Sequence, residues 1–288
     1  MRLVVFDDFR PGVWEPDGIR DLSDLLSPAG SHGAPYRMLE LISRWEELRG
    51  SVEDRRATGA VIDRATVRLR SPAPRPVNFL AAPINYRAHG SEMQGTAMAS
   101  GGTSSKEMGF FVKAPGSLCG ADDAIELPGD RDRRFDHEAE IGFVIGTEAR
   151  GVKADQALPH VFGYTLVMDL TMRMTETERE ERTLRKSFHS FSPAGPCLVT
   201  ADEIPDPSKL VVRLWVNDEL RQEGHMTDLI LDVPGLIEQA SSVVPMLPGD
   251  LYATGTPSGI GPIVPGDRVR IACDEIGEMT LPVTTRSW

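Results

Sequence analysis

A chain of 288 residues with 40% hydrophobic side chains can build one large core or a medium and a small one. Its 31 Lys and Arg against 43 Asp and Glu leave a formal charge of −12, which argues against a nucleic-acid or anionic-membrane partner. A small anionic substrate stays open, because a metal and a few local bases reverse the field inside one pocket. The opening Met1 to Asp8 has too short an apolar run for a signal peptide and no stretch reaches transmembrane length, so a cytoplasmic protein is expected. Cys119, Cys197 and Cys273 are odd in number and far apart, which fits reduced thiols in or near a core.

Residues 1–70 read as a small N-terminal α/β appendage: a strand over Leu3 to Phe6, then a helix from Tyr36 to Arg49 that Gly50 ends. Met38, Leu41, Ile42, Trp45 and Leu48 recur at spacings of three and four and give that helix a packing face. The alternating prolines of Ser71 to Pro76 favour an extended linker, so residues 71–288 are expected to form the second domain.

Val77 to Ala82 is the next strand, and Asn85 to Met93 is a turn of helix at most. His89 and Glu92, three apart, share a face of that turn, so the carboxylate can orient the imidazole. Gln94 to Glu107 is rich in small residues with little to bury and reads as a mobile loop, a lid. Phe110 to Lys113 is again strand-like.

Asp136-His137-Glu138-Ala139-Glu140 then runs into an apolar strand. Alternation puts Glu138 and Glu140 on one side and Ala139, Ile141, Phe143 and Ile145 on the other. A lone Glu-x-Glu is ordinarily a solvated edge. Here Asp169, inside the apolar run Leu166 to Leu170, is a second carboxylate that needs a partner. Three clustered carboxylates without His or Cys suit a hard divalent ion, Mg²⁺, Mn²⁺ or Ca²⁺, over zinc.

Residues 154–162 read as a short helix limited or kinked by Pro159, and Thr171 to Lys186 as a solvated charged run. Lys186 stands out because the chain turns apolar after it. Strands follow at Leu210 to Asn217, Leu251 to Thr254 and Arg268 to Ala272. One helix interrupts them, capped by Asp232 with Pro234 in its first turn. Thr254-Gly255-Thr256 lacks the Lys of a P-loop and reads as a tight loop with donors for a carboxylate.

From Val77 onward the motifs resemble the fumarylacetoacetate hydrolase family: Asn85-Tyr86-x-x-His89-x-x-Glu92, the Asp136 to Glu140 stretch, Gly163-Tyr164-Thr165 leading to Asp169, Lys186-Ser187-Phe188, and Pro248-Gly249-Asp250 before Thr254 to Pro257. The resemblance implies an α+β, strand-rich fold, a mixed β-roll catalytic domain behind the N-terminal appendage, in a homodimer. It implies a divalent ion on Glu138, Glu140 and Asp169, and His89 and Glu92 activating water. Lys186 would stabilise the leaving enolate, with Tyr86, Arg173 and the Thr254 to Thr256 loop against the substrate. The implied reaction is hydrolysis of a carbon–carbon bond in a small anionic 2,4-dioxo acid of the acylpyruvate or fumarylpyruvate type. Oxaloacetate decarboxylation, isomerisation or hydration could use the same metal, and a catalytically silent oxo-acid binder is the rival outside enzymes. Met168, Met174 and His189 stand where the family usually has polar residues.

Overall fold

The computed structural model describes residues 1–27, 33–93, 104–129, 132–175 and 177–286. The fold is mixed α+β and rich in strands. The strand Ala139–Ile145 lies inside the largest sheet, of eleven strands, between Val161–Met168 and Leu251–Ala253. Both neighbours run antiparallel to it, Ala139 opposite Met168 and Gly142 opposite Ala253, whereas Leu251–Ala253 pairs parallel with Phe79–Ala81, so the sheet is mixed.

Every residue of Ala139–Ile145 is buried, because both faces of the sheet are covered. On one face Ala139, Ile141, Phe143 and Ile145 join a core with Val212, Leu214, Ile271 and Leu281 of a five-stranded sheet. On the other, Val144 packs in a second core with Leu3, Val5, Met38, Leu41, Leu48 and Val52 from the N-terminal segment. The alternation read from the sequence thus separates two real cores, with Glu138 and Glu140 on the Val144 face at the strand's open end.

Residues 1–70 are tied to the catalytic sheet by Arg2–Phe6, whose Leu3 pairs with Leu198 of Ser192–Thr200. The Trp45 ring meets Phe162 edge-on at 5.1 Å. The single helix expected over Tyr36 to Arg49 is two, Arg37–Ser43 and Trp45–Thr58, broken at Arg44. Gly50 does not end the helix. It sits mid-helix where a side chain would meet nothing, and its cost of about 1 kcal/mol is offset by burial of Leu48 and Val52 on either side of it. The proline segment at 71–76 is largely buried against the body, Ser71, Pro72, Ala73 and Pro76 among it, and does not run as an exposed tether.

Two other expectations change. Residues 154–162 form two single 3-10 turns, Ala154–Gln156 and Leu158–His160, before the strand begins at Val161. Asn85 to Met93 holds more helix than expected, Arg87–Met93. The helix Val233–Ser241 is capped as expected, Asp232 Oδ1 accepting from Gly235 N at 2.9 Å. All three cysteines are buried free thiols, and burial pushes those of Cys197 and Cys273 up to about 12. No helix among the described residues is long and apolar enough to cross a membrane.

Candidate active site

The hairpin of Ala139–Ile145 and Val161–Met168 opens at its end into two carboxylate-bearing residues. Asp169 N donates to Glu138 O at 2.9 Å, which sets the two side by side just past the last paired residues. Glu138, Glu140 and Asp169 are all buried, with one oxygen from each lying within 4.8 Å of the others.

Three cations, Lys186, Arg173 and Lys113, and a hydroxyl hold two of the three. Lys186 Nζ donates to Glu138 Oε2 at 2.8 Å, Asp169 Oδ2 at 2.6 Å and Thr171 Oγ1 at 2.7 Å. Arg173 Nη2 donates to Glu138 Oε1 at 2.7 Å, and its Nε to Asp136 Oδ2 at 2.7 Å. Burial works to raise the Glu138 carboxyl, but Lys186 and Arg173 outweigh it and hold it well below the usual range. No cation touches Glu140: among the described residues it accepts only the Gly255 N–H, at 2.8 Å, and burial together with the facing Asp169 outweighs the more distant charge of Lys186 and pushes it well up. A dry carboxylate facing two others without a basic partner of its own fits a site for a hard divalent ion, and the three oxygens are close enough together to hold one.

His89 lines the same cavity, with Nδ1 3.0 Å from Glu92 Oε2. Glu92 Oε1 accepts Gly259 N at 3.0 Å, which fixes the carboxylate. Burial opposes ionisation of Glu92, but those hydrogen bonds keep its carboxyl below the ordinary value. An imidazole donating from Nδ1 to a carboxylate leaves Nε2 as the acceptor for a proton.

The remaining expected site residues divide. Thr256 lines the cavity with Arg173 and Lys186. Gly255, at φ +98 and with Asn85 Cβ 2.7 Å from where a side chain would start, supplies its N–H to Glu140 rather than to a substrate. Thr254 is turned away, its Oγ1 donating to Ile141 O at 2.8 Å. Tyr86 is not part of the lining: its ring is buried, with the hydroxyl 3.8 Å from Met226 Sδ. Its neighbour Asn85 ties this corner together through buried hydrogen bonds. Asn85 donates to Leu231 O and Thr254 O, both at 2.8 Å, and accepts from Ser105 Oγ at 2.5 Å and Leu231 N at 2.9 Å. Asn85→Ala is expected to lose about 2–4 kcal/mol in urea unfolding, since it leaves several buried groups unpaired. A loss below about 1 kcal/mol contradicts that role.

Of the lid expected over 94–107, residues 94–103 lie outside the described residues. Ser104 and Glu107 form a capping box for the turn Ser105–Met108, and Ser105 is buried. Met174 lines the cavity, Met168 belongs to the core, and His189 faces Glu126 at 3.3 Å in a separate cavity.

Three site residues escaped the sequence reading. Lys113 is fully buried and donates to Asp169 Oδ1 and, at 3.1 Å, to Phe191 O. Its only sequence signal was a Lys closing an aromatic strand. Asp136 holds Arg173 and lay unread inside the acidic stretch. Gln222, buried on a mostly exposed strand, accepts from Ala139 N at 3.0 Å, meets His137 Nδ1 at 3.0 Å and donates to Thr256 Oγ1 at 2.8 Å. It locks the acidic strand to the Thr256 loop.

Residues 78–284 match the sequence model of the fumarylacetoacetate (FAA) hydrolase C-terminal family. The chain belongs to this family. A maleylpyruvate hydrolase of Aquipseudomonas alcaligenes is 39% identical over 289 residues, spanning 98% of this chain and 99% of its own. The crystal structure of maleylpyruvate hydrolase from Sphingobium sp. SYK-6 superposes with a TM-score of 0.87 at 38% identity, covering 99% of this chain and all of that one. A second structure of that enzyme, in complex with manganese(II) ion and pyruvate, gives 0.86 at 38% identity over 99% of each chain. A 5-carboxymethyl-2-hydroxymuconate delta-isomerase from Mycobacterium smegmatis is more distant, with a TM-score of 0.74 and 30% identity over the full length of both chains. The family membership agrees with the motifs, the strand-rich α+β fold and the buried carboxylate triad.

Proposed function

We propose that this fumarylacetoacetate hydrolase family member is a divalent-metal-dependent enzyme that hydrolyses a carbon–carbon bond of a 2,4-dioxo acid of the acylpyruvate type. The observation that carries the reading is the His89–Glu92 pair beside the triad, since holding an oxo acid needs ligands and donors but no general base. The resemblance to two maleylpyruvate hydrolases, one with manganese(II) and pyruvate bound, supports it.

A divalent ion on Glu138, Glu140 and Asp169, Mn²⁺ or Mg²⁺, supplies a Lewis acid for the charge that develops on the pyruvate half. The residues of the chain do the rest. His89, held by Glu92, takes a proton from water through Nε2, and the water oxygen attacks the carbonyl carbon farther from the carboxylate. The bond from that carbon to the neighbouring methylene breaks, its electron pair passing to the pyruvate half, where Lys186 adds positive charge until the carbon is protonated. The products are pyruvate and a carboxylic acid. Lys186 and Arg173 keep Glu138 ionised, and Thr171 Oγ1 helps to hold it in place.

Pyruvate release across a panel of acylpyruvates, with and without added Mn²⁺ or Mg²⁺, tests the reading. Metal-dependent release from at least one member is expected, and none from any contradicts it. Glu92→Gln is expected to cost less than about a hundredfold in kcat, because the imidazole stays but is less well held. A loss larger than that of removing the imidazole contradicts an orienting role.

We also infer a cytoplasmic homodimer working in the catabolism of aromatic compounds, whose ring opening produces acids of this kind. The exposed apolar Val112 and Leu184, on two segments tied together by the hydrogen bond of 2.9 Å from Thr183 Oγ1 to Val112 O, suit a subunit contact.

A further inference from the structure

The strand Glu219–His225 is mostly exposed, yet Gln222 within it is buried and every hydrogen-bonding position of its amide is used. Oε1 accepts from Ala139 N and meets His137 Nδ1, both at 3.0 Å. Nε2 donates to Thr256 Oγ1 at 2.8 Å and to Pro257 O at 2.9 Å. Two of these partners decide which end of the amide is which. A backbone N–H only donates and a backbone carbonyl only accepts, so the amide cannot turn over without breaking both bonds. His137 Nδ1 therefore carries a hydrogen, and the Thr256 hydroxyl oxygen receives one from Gln222.

A hydroxyl has one proton of its own and two lone pairs. With a lone pair of Thr256 engaged by Gln222, its proton points elsewhere, and among the described residues no acceptor takes it. Thr256 is buried and lines the cavity of the triad, so the proton is left for a molecule held there. The surroundings keep this arrangement in place. Gly224 lets the strand come so close to the Thr256 loop that a Cβ there would lie 2.7 Å from Pro257 Cγ, and Gly259 packs in the same way against Arg221 O. The loop is also tied to the triad, through Gly255 N on Glu140.

We infer that Gln222 is a positioning residue: by donating to Thr256 it fixes that hydroxyl as a donor toward the bound oxo acid. Gln222 is not on the described lining of the cavity, so it acts on substrate affinity through Thr256 and not by contact. An anionic oxygen of the acid is the partner such a donor fits, since hydrogen bonds to charged acceptors are the stronger ones. The inference rests on the hydrolase reading above for what occupies the cavity, but binding alone can test it.

The probe is pyruvate, titrated calorimetrically into the Mn²⁺-loaded full chain. Thr256→Val removes the donor and is expected to weaken pyruvate about tenfold or more, the worth of a hydrogen bond to a charged group, and Thr256→Ser is expected to recover most of that loss. Gln222→Glu keeps an acceptor for Ala139 N and His137 Nδ1 but accepts from Thr256, which draws the proton out of the cavity. It too is expected to cost about tenfold. In the double variant, Gln222→Glu with Thr256→Val, the loss is expected to match the larger single loss within about threefold, because one residue acts through the other. Losses that multiply overturn the inference, since they mark an effect of charge or folding that bypasses Thr256. Unchanged affinity in Thr256→Val overturns it whether or not the Gln222 variant folds, and so does a wild type that binds no pyruvate. If the coupling is found but no acylpyruvate is cleaved, the positioning role stands and the hydrolase reading falls.

Discussion

Replacing His89 by Ala is expected to lower hydrolysis of an acylpyruvate by about a hundredfold to ten-thousandfold in kcat, the range of a positioned general base. Oxaloacetate decarboxylation, if the protein performs it, is expected to fall far less, because loss of carbon dioxide requires stabilised negative charge but no activated water. The geometry behind the contrast is specific: His89 is 6% exposed, lines the triad's cavity, and is held from behind by a carboxylate that is itself fixed by Gly259 N. Steady-state kinetics on both substrates with one preparation of the variant give the answer. A parallel fall assigns His89 to substrate positioning, and no fall in either removes it from the chemistry.

Chelation is expected to abolish turnover and to lower the melting temperature by roughly 5–10 °C relative to protein with the ion at a hundred times its Kd. Two variants should part company in this experiment. Glu140→Gln keeps an acceptor for Gly255 N but removes the carboxylate that faces Asp169 and Glu138 without a basic partner. It should leave the metal-free protein as stable as the wild type or more so, while the ion no longer stabilises it. Glu138→Gln removes the counter-charge of Lys186 and Arg173 as well, so it should lose stability with and without the ion while keeping a recognisable fold. Thermal melts with EDTA and with Mn²⁺ test both. Equal destabilisation of the metal-free protein by the two variants contradicts the assignment of Glu140 as the ligand that waits for a cation, and full activity in excess EDTA ends the metal reading.

How much of this was legible beforehand depended on whether the signal was local. The triad was readable because a period-two pattern fixes which residues share a face, and because Asp169 sat in an apolar run where a charge demands a partner. The His89–Glu92 pair was readable from a spacing of three. Lys113 and Gln222 act across 56 and 83 residues of sequence, on Asp169 and Ala139, and nothing in their own neighbourhoods says so. Thr171 to Lys186 misled in a different way. Its composition describes the exposed part correctly, but only the attachment of Arg182–Arg185 to the Phe111–Val112 strand turns two of its arginines into the cavity. Gly50 misled because propensity is a small term against the burial of its neighbours. The strands Ser192–Thr200 and Gly277–Thr285 went unread as well: the first carries two prolines and a glycine and is buried on both faces, so it lacks alternation, and the second was passed over although it alternates.

The central claim is that the enzyme adds water to a carbonyl carbon and breaks the adjoining carbon–carbon bond. Turnover of an acylpyruvate in water enriched in heavy oxygen, with Mn²⁺ present and the products resolved by mass spectrometry, tests it most directly. The account predicts pyruvate together with a carboxylic acid that has gained one heavy oxygen from solvent. An acid product without the label, or release of carbon dioxide in place of pyruvate and acid, would contradict it.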